Sequence, residues 1–438
     1  MAIKAGTAKI IITPPVGVEL AGYSFGPSQG ILTDLEAQVL VLESLPTSGS
    51  AKETIAILTA DLLTIGPRLA ASVRQRAEVS FGIPASHILL AASHTHSGPA
   101  TMPFRQWGAV NESYLHYLEE AMVGAIGIAQ SDLHEARLGL GLGQVERISH
   151  NRRGRSEMVD PQVAVLVVED ISGQSLAVLF NFSSHPVTLH SYRGLITPDY
   201  PGYARQVIRD VIGKDTQAMF ILGAAGDINP AGYIPNSFTP QRSRQIGAIL
   251  GCEVAKIALD PQYQDDPVLR VVSATLDLPV EPLPEVAELQ KMHRQLSEQV
   301  EGLQAEGASW EKIARVLIQR DWALDALDAW EGGSLQRTLP CEIMAVRLGD
   351  AVILAAPLEL FAATGLAIKA ASPAQATLIC SNANGALGYL PTLDAYQEED
   401  YTNPQGVAHK VYGLYAFSPQ AEPIFRQEAI RMLQALYP

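Results

Sequence analysis

The sequence predicts an α/β protein built from mixed, largely parallel β-sheets that are flanked by helices. Short apolar stretches such as 54–61, which ends in a carboxylate, and 88–92 have the length and composition of buried strands. The segment Pro67–Phe81 between them is interpreted as a helix, and the resulting β-α-β unit favours parallel pairing of its two strands. The same succession recurs at 176–182, 201–213 and Gln217–Leu222.

The elements before and after this first unit follow from the same patterns. Residues 8–12 and 37–42 are predicted strands that are separated by a loop with prolines and glycines. A helix is predicted to begin near Asn111 or Ser113, either of which can cap it, and to end near Gln130. Its buried face is predicted from the helical spacing of Tyr114, Leu118, Met122 and Ile126.

Residues 284–333 differ in character from the rest of the chain. Apolar residues recur there at helical spacing on both sides of a break at 306–309, which predicts a helical hairpin inserted between sheet elements. A packing element or an oligomer contact is the simpler interpretation of the hairpin, and a lid over a site is another. Beyond it, 351–356 and 376–380 are predicted strands, joined by a helix that starts at 357–359 and runs to Ala371.

Length, charge and cysteine usage limit the classes of function. The chain has 438 residues, of which 47% are apolar and 18% charged, and residues 1–438 are predicted to form one two-lobed domain. A net charge of -15 offers no basic surface for nucleic acid or an anionic membrane. The chain shows no transmembrane run and no secretion signal, and its three scattered cysteines suit reduced thiols, so we expect a cytoplasmic protein. The sequence is compatible with a homo-oligomer.

The clearest chemical signal is the pair His94 and His96, which follows the predicted strand Ile88–Ala92. Residues two apart on an extended backbone point to the same side, so both imidazoles can face the crevice beyond the strand's end, where α/β proteins bind ligands. A metal site and an acid/base site both fit this pair, and two hydrogen-bonded structural histidines are the simpler alternative. Spacing alone does not distinguish the role of one histidine from that of the other.

Other predicted strands also end at residues that bind metals or move protons, namely His185, Asp227, Glu359 and Tyr389. Each has a structural interpretation by itself, but together they converge on one rim of a sheet. Two histidines and one glutamate are a donor set of catalytic zinc, whereas magnesium and calcium prefer sites made of oxygen alone. The sequence therefore predicts a zinc site.

Residues 94–99 read His-Thr-His-Ser-Gly-Pro, and several shorter motifs accompany them. These are the opening strand with Gly22-Tyr23, Asn151-Arg152, His185, Gly226-Asp227, Glu359, and Gly388-Tyr389 with Tyr401. In these residues and their order the chain resembles the catalytic domain of the neutral/alkaline ceramidase family, from about Gly6 to Tyr401. The six-residue motif is the most specific part of the resemblance.

The resemblance implies a zinc ion bound by His94, His185, Glu359 and Tyr389. It also implies a catalytic set consisting of His96, Arg152, Tyr401, Asp227 and Asn229. Zinc can hold a phenolate and lower the pKa of its water towards neutrality. Arg152 or Tyr401 could then stabilise an oxyanion, and His96 could pass a proton to a leaving amine. The implied function is zinc-dependent hydrolysis of a linear N-acyl amide bond in a small-molecule or lipid substrate.

The chain departs from the family pattern in three respects. Asn229 stands where the family has a serine in its Gly-Asp-x-Ser-Pro-Asn hexapeptide. We expect no C-terminal immunoglobulin-like domain after Tyr401, and no secretion signal. Hydrolysis of a different N-acyl compound or of an ester on the same site is therefore an alternative, and a catalytically impaired metal-binding protein is another.

Two other hydrolase classes place His-x-His after a strand. Metallo-β-lactamase-like enzymes continue the motif as HxHxDH, but Ser97, Gly98 and Pro99 occupy those positions here. Barrel amidohydrolases have the motif after their first strand, whereas several predicted strands precede His94 in this chain. Both classes fit the sequence less well than the ceramidase-like interpretation.

Overall fold

Two large β-sheets share one buried apolar cluster at the centre of the fold, and helices cover their outer faces. The computed structural model describes residues 3–22, 26–44, 52–154, 157–189, 194–232, 239–397 and 406–437. Between the sheets lies a buried apolar cluster that includes Leu40 and Leu166 of the first sheet and Met344 and Leu378 of the second. The predicted class, α/β with helices flanking mixed sheets, is confirmed.

The described strands are, in chain order, β1 (Ile3–Ile11), β2 (Gly30–Ile31), β3 (Glu36–Ser44), β4 (Thr54–Ala60), β5 (Ile88–Ala92), β6 (His134–Gln144), β7 (Ser149–Asn151), β8 (Gln162–Asp170), β9 (Ser175–Phe182), β10 (Leu195–Ile196), β11 (Gln217–Leu222), β12 (Ile228–Pro230), β13 (Gln262–Tyr263), β14 (Leu269–Pro279), β15 (Thr338–Leu348), β16 (Ala351–Ala355), β17 (Glu359–Leu360), β18 (Ala376–Cys380) and β19 (Tyr389–Leu390). The described α-helices are α1 (Pro67–Phe81), α2 (Glu112–Ser131), α3 (Asp199–Ile212), α4 (Pro240–Ala258), α5 (Val286–Ala305), α6 (Trp310–Glu331), α7 (Ala362–Ala371), α8 (Ala408–Tyr412) and α9 (Ala421–Leu436).

The strands are divided between two large sheets and three short pairs. The first sheet has the order β11-β9-β8-β6-β1-β3-β4-β5, with β13 paired to β6, and the second has the order β14-β15-β16-β18. The short pairs are β2 with β10, β7 with β12, and β17 with β19.

Parallel pairing is less common than the sequence predicted. In the described part of the first sheet, β4 with β5 and β9 with β11 are parallel, and the other pairs are antiparallel. The connections explain this correction. A helix crosses between the strands of each parallel pair, whereas β8 and β9 follow one another through a tight turn, which brings the chain back antiparallel.

Helices cover the outer faces of both sheets. Helices α1 and α2 pack on the outer face of one half of the first sheet, through residues such as Val73 and Leu118. Helices α3 and α4 cover the other half. Helices α7 and α9 pack on the outer face of the second sheet, where Phe425 and Leu433 are fully buried. The ends of the helices follow local rules: Asn111 caps α2 by accepting a hydrogen bond from the Tyr114 amide at 2.9 Å, as predicted.

The segment after β16 corrects a second expectation. The helix that the sequence places from 357–359 to Ala371 begins at Ala362, and Glu359 lies on the short strand β17. The reason is long-range pairing, because β17 pairs in parallel with β19 and sets Glu359 directly opposite Tyr389. Two of the predicted metal ligands are thus brought side by side by the pairing of two strands of two residues each.

Helices α5 and α6 pack against each other in antiparallel directions. Leu289 at the start of α5 clusters with Trp322 and Ala326 of α6, and Val300 near its end clusters with Ile313 and Leu317 at the start of α6. Within the described residues, no helix combines the length and the apolar character that a membrane span requires.

Candidate metal centre

His94 lies just beyond the end of β5, in a backbone conformation that orients its ring inward. Its φ is 68°, in the left-handed region. Its Nδ1 is 2.8 Å from the carbonyl oxygen of Leu63 and 3.1 Å from the side-chain amide of Asn382. Because a carbonyl oxygen accepts only, Nδ1 carries the proton and Nε2 presents its lone pair, which is the tautomer that a metal bound at Nε2 requires.

His96 meets His94 edge to face, and both rings face one space as expected, although the backbone at His94 is left-handed and not extended as predicted from the sequence. The two Nε2 atoms are 3.3 Å apart, and the ring centroids are 4.8 Å apart. Both rings are essentially fully buried. The two imidazoles therefore face one enclosed space beyond the first sheet.

His185 lies three residues beyond the end of β9. Its Nδ1 lies 2.6 Å from the carbonyl oxygen of Ala225 and 3.1 Å from that of Ile228, so this nitrogen also carries a proton. Its Nε2 is 3.1 Å from Oε2 of Glu359. Burial lowers the pKa of His185 to about 4, although the hydrogen bond to Glu359 acts in the opposite direction, so the ring is neutral at neutral pH.

Glu359 presents one carboxylate oxygen to both histidines. Oε2 lies 3.4 Å from Nε2 of His94 and 3.1 Å from Nε2 of His185. The other oxygen, Oε1, accepts a hydrogen bond from the hydroxyl of Tyr412 at 2.5 Å. Burial alone would raise the pKa of this carboxyl, but its contacts with the imidazoles of His94 and His185 outweigh burial and hold the pKa well below its usual value.

Tyr389 and Arg152 lie next to Glu359. The phenol oxygen of Tyr389 accepts a hydrogen bond of 3.2 Å from the guanidinium of Arg152. The same guanidinium donates to the carbonyl oxygen of Gly226, and its central carbon lies 5.5 Å from the centre of the Tyr389 ring. Arg152 therefore lies beside Tyr389, the residue that is paired with Glu359, and its positive charge is next to the phenol oxygen.

Asp227 holds three segments of the site together. Its carboxylate accepts hydrogen bonds of 2.8 Å from the Ala362 amide at the start of α7 and from the side-chain amide of Asn151. Its backbone oxygen accepts a bond of 2.9 Å from the Arg152 amide. Burial raises the pKa of Asp227, although both donors to its carboxylate favour the charged form. These contacts give Asp227 a supporting position beside the predicted catalytic residues.

Asn229 and Tyr401 complete the predicted set. Asn229 is buried on β12, where it stands opposite His150 of β7. The described contacts do not link Asn229 to the histidines, in contrast to its neighbour Ile228, whose carbonyl oxygen bonds His185. Tyr401, and Tyr23 of the resemblance, lie outside the described residues.

The donor set fits a metal ion. The ligand nitrogens of His94, His96 and His185 all lie within 4.8 Å of one another. His94 and His185 each have one ring nitrogen held by a carbonyl oxygen and the other facing the centre, next to an ionised carboxylate. Nitrogen and carboxylate donors of this kind favour a borderline cation such as zinc over magnesium or calcium. Within the described residues, this is the group of histidine, cysteine and acidic side chains that could hold a metal ion.

Three contributors to the site were not predicted from the sequence. Tyr412 contacts Glu359, Leu63 orients His94 through its backbone, and Asn382 lies against the same ring. Asn382 could have been noticed, because it follows the buried strand β18 directly. Nothing in the local sequence of Leu63 or Tyr412 marks them, since both act through contacts between distant segments.

The fold and the site together define a layered α/β protein with a buried histidine and carboxylate centre at the end of its first sheet. The chain belongs to the neutral/alkaline non-lysosomal ceramidase family, because the family model of the N-terminal region matches residues 4–246. This confirms the resemblance that the sequence motifs indicate.

Individual relatives agree with this assignment. The neutral ceramidase of Pseudomonas aeruginosa is 28% identical over 189 residues, which cover 37% of this chain and 28% of that protein. The crystal structure of neutral ceramidase from Pseudomonas aeruginosa aligns with a TM-score of 0.77 at 21% identity, covering 100% of this chain and 74% of that one. A structure described as ceramidase complexed with C2 gives a TM-score of 0.76 at 19% identity, with coverage of 100% and 75%. At these identities the structural matches establish the fold.

Proposed function

We propose that this protein is a zinc-dependent hydrolase that cleaves the N-acyl amide bond of ceramide or of a related N-acyl lipid. The observation that carries the proposal is the convergence of His94, His185 and Glu359, from three distant segments, on one buried point. Membership of the ceramidase family supports the reaction class.

The proposed zinc ligands are His94, His185, Glu359 and Tyr389. When bound, zinc would lower the pKa of a coordinated water towards neutrality and so supply a nucleophile for the amide carbonyl. The chain prepares for this by keeping two imidazoles in the correct tautomer and one carboxylate ionised.

Arg152 and His96 are the proposed partners of the reacting amide. Arg152 carries a fixed positive charge beside Tyr389, so it is suited to stabilise the oxygen of the carbonyl as negative charge develops there. His96 shares the enclosed space with His94 and can hold a proton for the leaving amine. We propose that Tyr401 assists at the carbonyl, and that Asp227 and Asn229 shape the adjoining loop.

The proposal leaves more than one candidate for the acyl compound that is hydrolysed. Because Asn229 stands where the family has a serine, an N-acyl compound other than ceramide, or an ester, is the second candidate substrate. A protein that binds the metal without turnover is a further candidate on the same ground. Both alternatives keep the proposed metal site. The first hydrolyses a different substrate, and the second hydrolyses none.

The experiment combines metal analysis of the purified protein with a hydrolysis screen over N-acyl sphingosines, N-acyl amino acids and simple esters. We expect about one zinc ion per chain and turnover of at least one amide. His94→Ala and His185→Ala should each lose both metal and turnover, whereas Arg152→Ala should keep the metal and lose rate by about 100-fold or more. His116→Ala, on the exposed face of α2, is the matched control and should change neither quantity.

Removal of the metal by a chelator separates a catalytic from a structural site. We expect turnover to be lost while the circular dichroism spectrum and cooperative unfolding persist, because the core between the two sheets does not depend on the centre. Full hydrolytic activity in metal-free protein would contradict the proposal.

A further inference from the structure

The two oxygens of the Glu359 carboxylate have different surroundings. Oε2 faces the Nε2 atoms of His94 and His185, at 3.4 Å and 3.1 Å. Oε1 points away from them and accepts the hydrogen bond of 2.5 Å from Tyr412. A carboxylate that is not held can rotate and present either oxygen or both to a cation, so a fixed donor to one oxygen decides which oxygen remains for the other partner.

We propose that Tyr412 is a positioning residue of the metal centre, and that helix α6 of the α5–α6 pair holds Tyr412 in place through α8. Tyr412 fixes the rotation of the Glu359 carboxylate so that Oε2 alone is directed at the metal. The proposal rests on the proposed function to the extent that the cation is zinc held by His94, His185 and Glu359.

The ring of Tyr412 is confined on two sides. It packs edge to face against Phe104, with centroids 5.4 Å apart, and against Tyr389, with centroids 6.2 Å apart. Gly388 lies beneath it with a φ of 87°, and a Cβ at that glycine would lie 3.4 Å from the ring. The hydroxyl therefore reaches Glu359 from a ring with little freedom to move.

Helix α8, which ends at Tyr412, is attached to α6 by an aromatic contact. The indole nitrogen of Trp322 donates a hydrogen bond of 2.8 Å to the carbonyl oxygen of Leu414, two residues after Tyr412. The same indole ring lies edge to face with His409, and the Lys410 ammonium is 5.0 Å from its centre. Trp322 thus contacts the chain on both sides of Tyr412.

Arg105 provides a second attachment between the same two elements. Its guanidinium donates to the carbonyl oxygens of Lys410 and Gly413, at 2.5 Å and 2.7 Å, and so binds both sides of Tyr412. It also forms an ion pair with Asp325 of α6 at 2.5 Å. The end of α8 is therefore held by a tryptophan and an arginine, both of which connect it to α6.

The first test replaces the hydroxyl and keeps the ring. In Tyr412→Phe we expect zinc affinity, measured by competition with a chromogenic chelator, to fall by about 10- to 100-fold, which is the usual effect of losing an outer partner of a metal ligand. The visible spectrum of the cobalt-substituted protein should also change, because the carboxylate no longer presents a single oxygen. The matched control is Tyr415→Phe, which removes a hydroxyl three residues away that accepts from the Gln336 amide, and which should leave affinity and spectrum unchanged.

The second test addresses α6. Trp322→Phe removes the donor to Leu414 and should weaken zinc binding by severalfold, in the same direction as Tyr412→Phe but to a smaller extent. Its control is Trp330→Phe in the same helix, whose indole nitrogen donates to the Pro284 carbonyl oxygen instead. The double variant with Trp322→Phe and Tyr412→Phe should bind no more weakly than Tyr412→Phe alone, because both changes act through one hydroxyl.

The outcomes separate this inference from the function on which it rests. If wild-type protein binds no zinc, the proposed function fails and this inference fails with it. If wild-type protein binds zinc and Tyr412→Phe binds it within twofold, with an unchanged cobalt spectrum, the positioning role is overturned while the proposed function stands. If Tyr412→Phe does not fold, Trp322→Phe decides, and an unchanged zinc affinity in that variant overturns the inference.

Discussion

The position of His96 depends on a residue that has no side chain. Gly22 has a φ of 102°, and a Cβ built on it would lie 2.7 Å from Nδ1 of His96 and 2.9 Å from its Cγ. Heavy atoms do not approach this closely without displacement, so the ring occupies space that a larger residue would take from it. This contact explains why a glycine stands at position 22, in the Gly22-Tyr23 motif that the chain shares with the ceramidase family.

We predict that Gly22→Ala displaces His96 and lowers kcat by about 10- to 100-fold, because catalysis is sensitive to shifts of about 1 Å. Zinc content should persist, since the three atoms nearest to the new methyl group all belong to His96, which is not a proposed zinc ligand. The control is Gly17→Ala, at a similar φ of 103° but with open space around it, which separates backbone strain from the contact with His96. Equal losses of rate in both variants would show that strain alone is responsible.

At the scale of secondary structure elements, the site depends on short segments that contacts between distant parts of the chain hold in place. Strand β17 has two residues and pairs with β19, and Asp227 joins the loop before β12 to the first turn of α7 and to Asn151. An aspartate that accepts both of these bonds uses its two oxygens for two different donors. Few other side chains could replace it.

We predict that Asp227→Asn lowers the free energy of unfolding by about 1–3 kcal/mol. The new amide has one oxygen, so the Ala362 amide or the Asn151 side chain loses its buried acceptor. Urea unfolding followed by circular dichroism measures the change. Asp210→Asn, which breaks the exposed ion pair with Lys214, is the comparison and should cost less than about 1 kcal/mol. Equal stability of the Asp227→Asn variant and the wild type would argue against the supporting position of Asp227.

The sequence predicted regular elements well where a local pattern decides them. Helix α1 has its predicted bounds, and the strands of the β-α-β units pair in parallel. It did not predict β17, because a two-residue strand has no periodicity and Glu359 is extended only through its pairing with Tyr389. The same limit applies to the site: His94, His96, His185 and Glu359 could be identified from strand ends and motifs, whereas Tyr412 acts from an element that no local pattern connects to them.

At the scale of the whole molecule, a buried network of charges connects the first sheet to α3. Arg205 of α3 forms an ion pair of 2.5 Å with Asp61, the residue after β4. Arg209 of the same helix forms an ion pair of 2.6 Å with Glu36 of β3. Burial alone would raise the pKa of Glu36, but the charge of Arg205 and the hydrogen bond from Arg209 lower it to about 2. The contribution of Glu36 to the stability of the folded state therefore depends on its ionisation.

We predict that Glu36→Gln destabilises the protein by about 3 kcal/mol at neutral pH and by only about 1 kcal/mol near pH 3. The folded pKa of Glu36 is below its unfolded value of 4.5, so its contribution is complete above about pH 5 and is lost as the pH falls towards about 2. Urea midpoints of both proteins across this range measure the difference. Glu301→Gln, on the exposed face of α5, is the control and should show little pH dependence.

The distribution of the proposed metal ligands along the chain has a consequence for biosynthesis. His185 and Glu359 are 174 positions apart, and Glu359 follows the strand β16 of the second sheet. A nascent polypeptide that has left the ribosome only as far as His185 carries the imidazoles but no carboxylate to accompany them. In a small zinc finger the cation directs folding, because its ligands are close in sequence. For the proposed zinc site the order would be reversed, because the fold has to bring these donors together before a cation can enter.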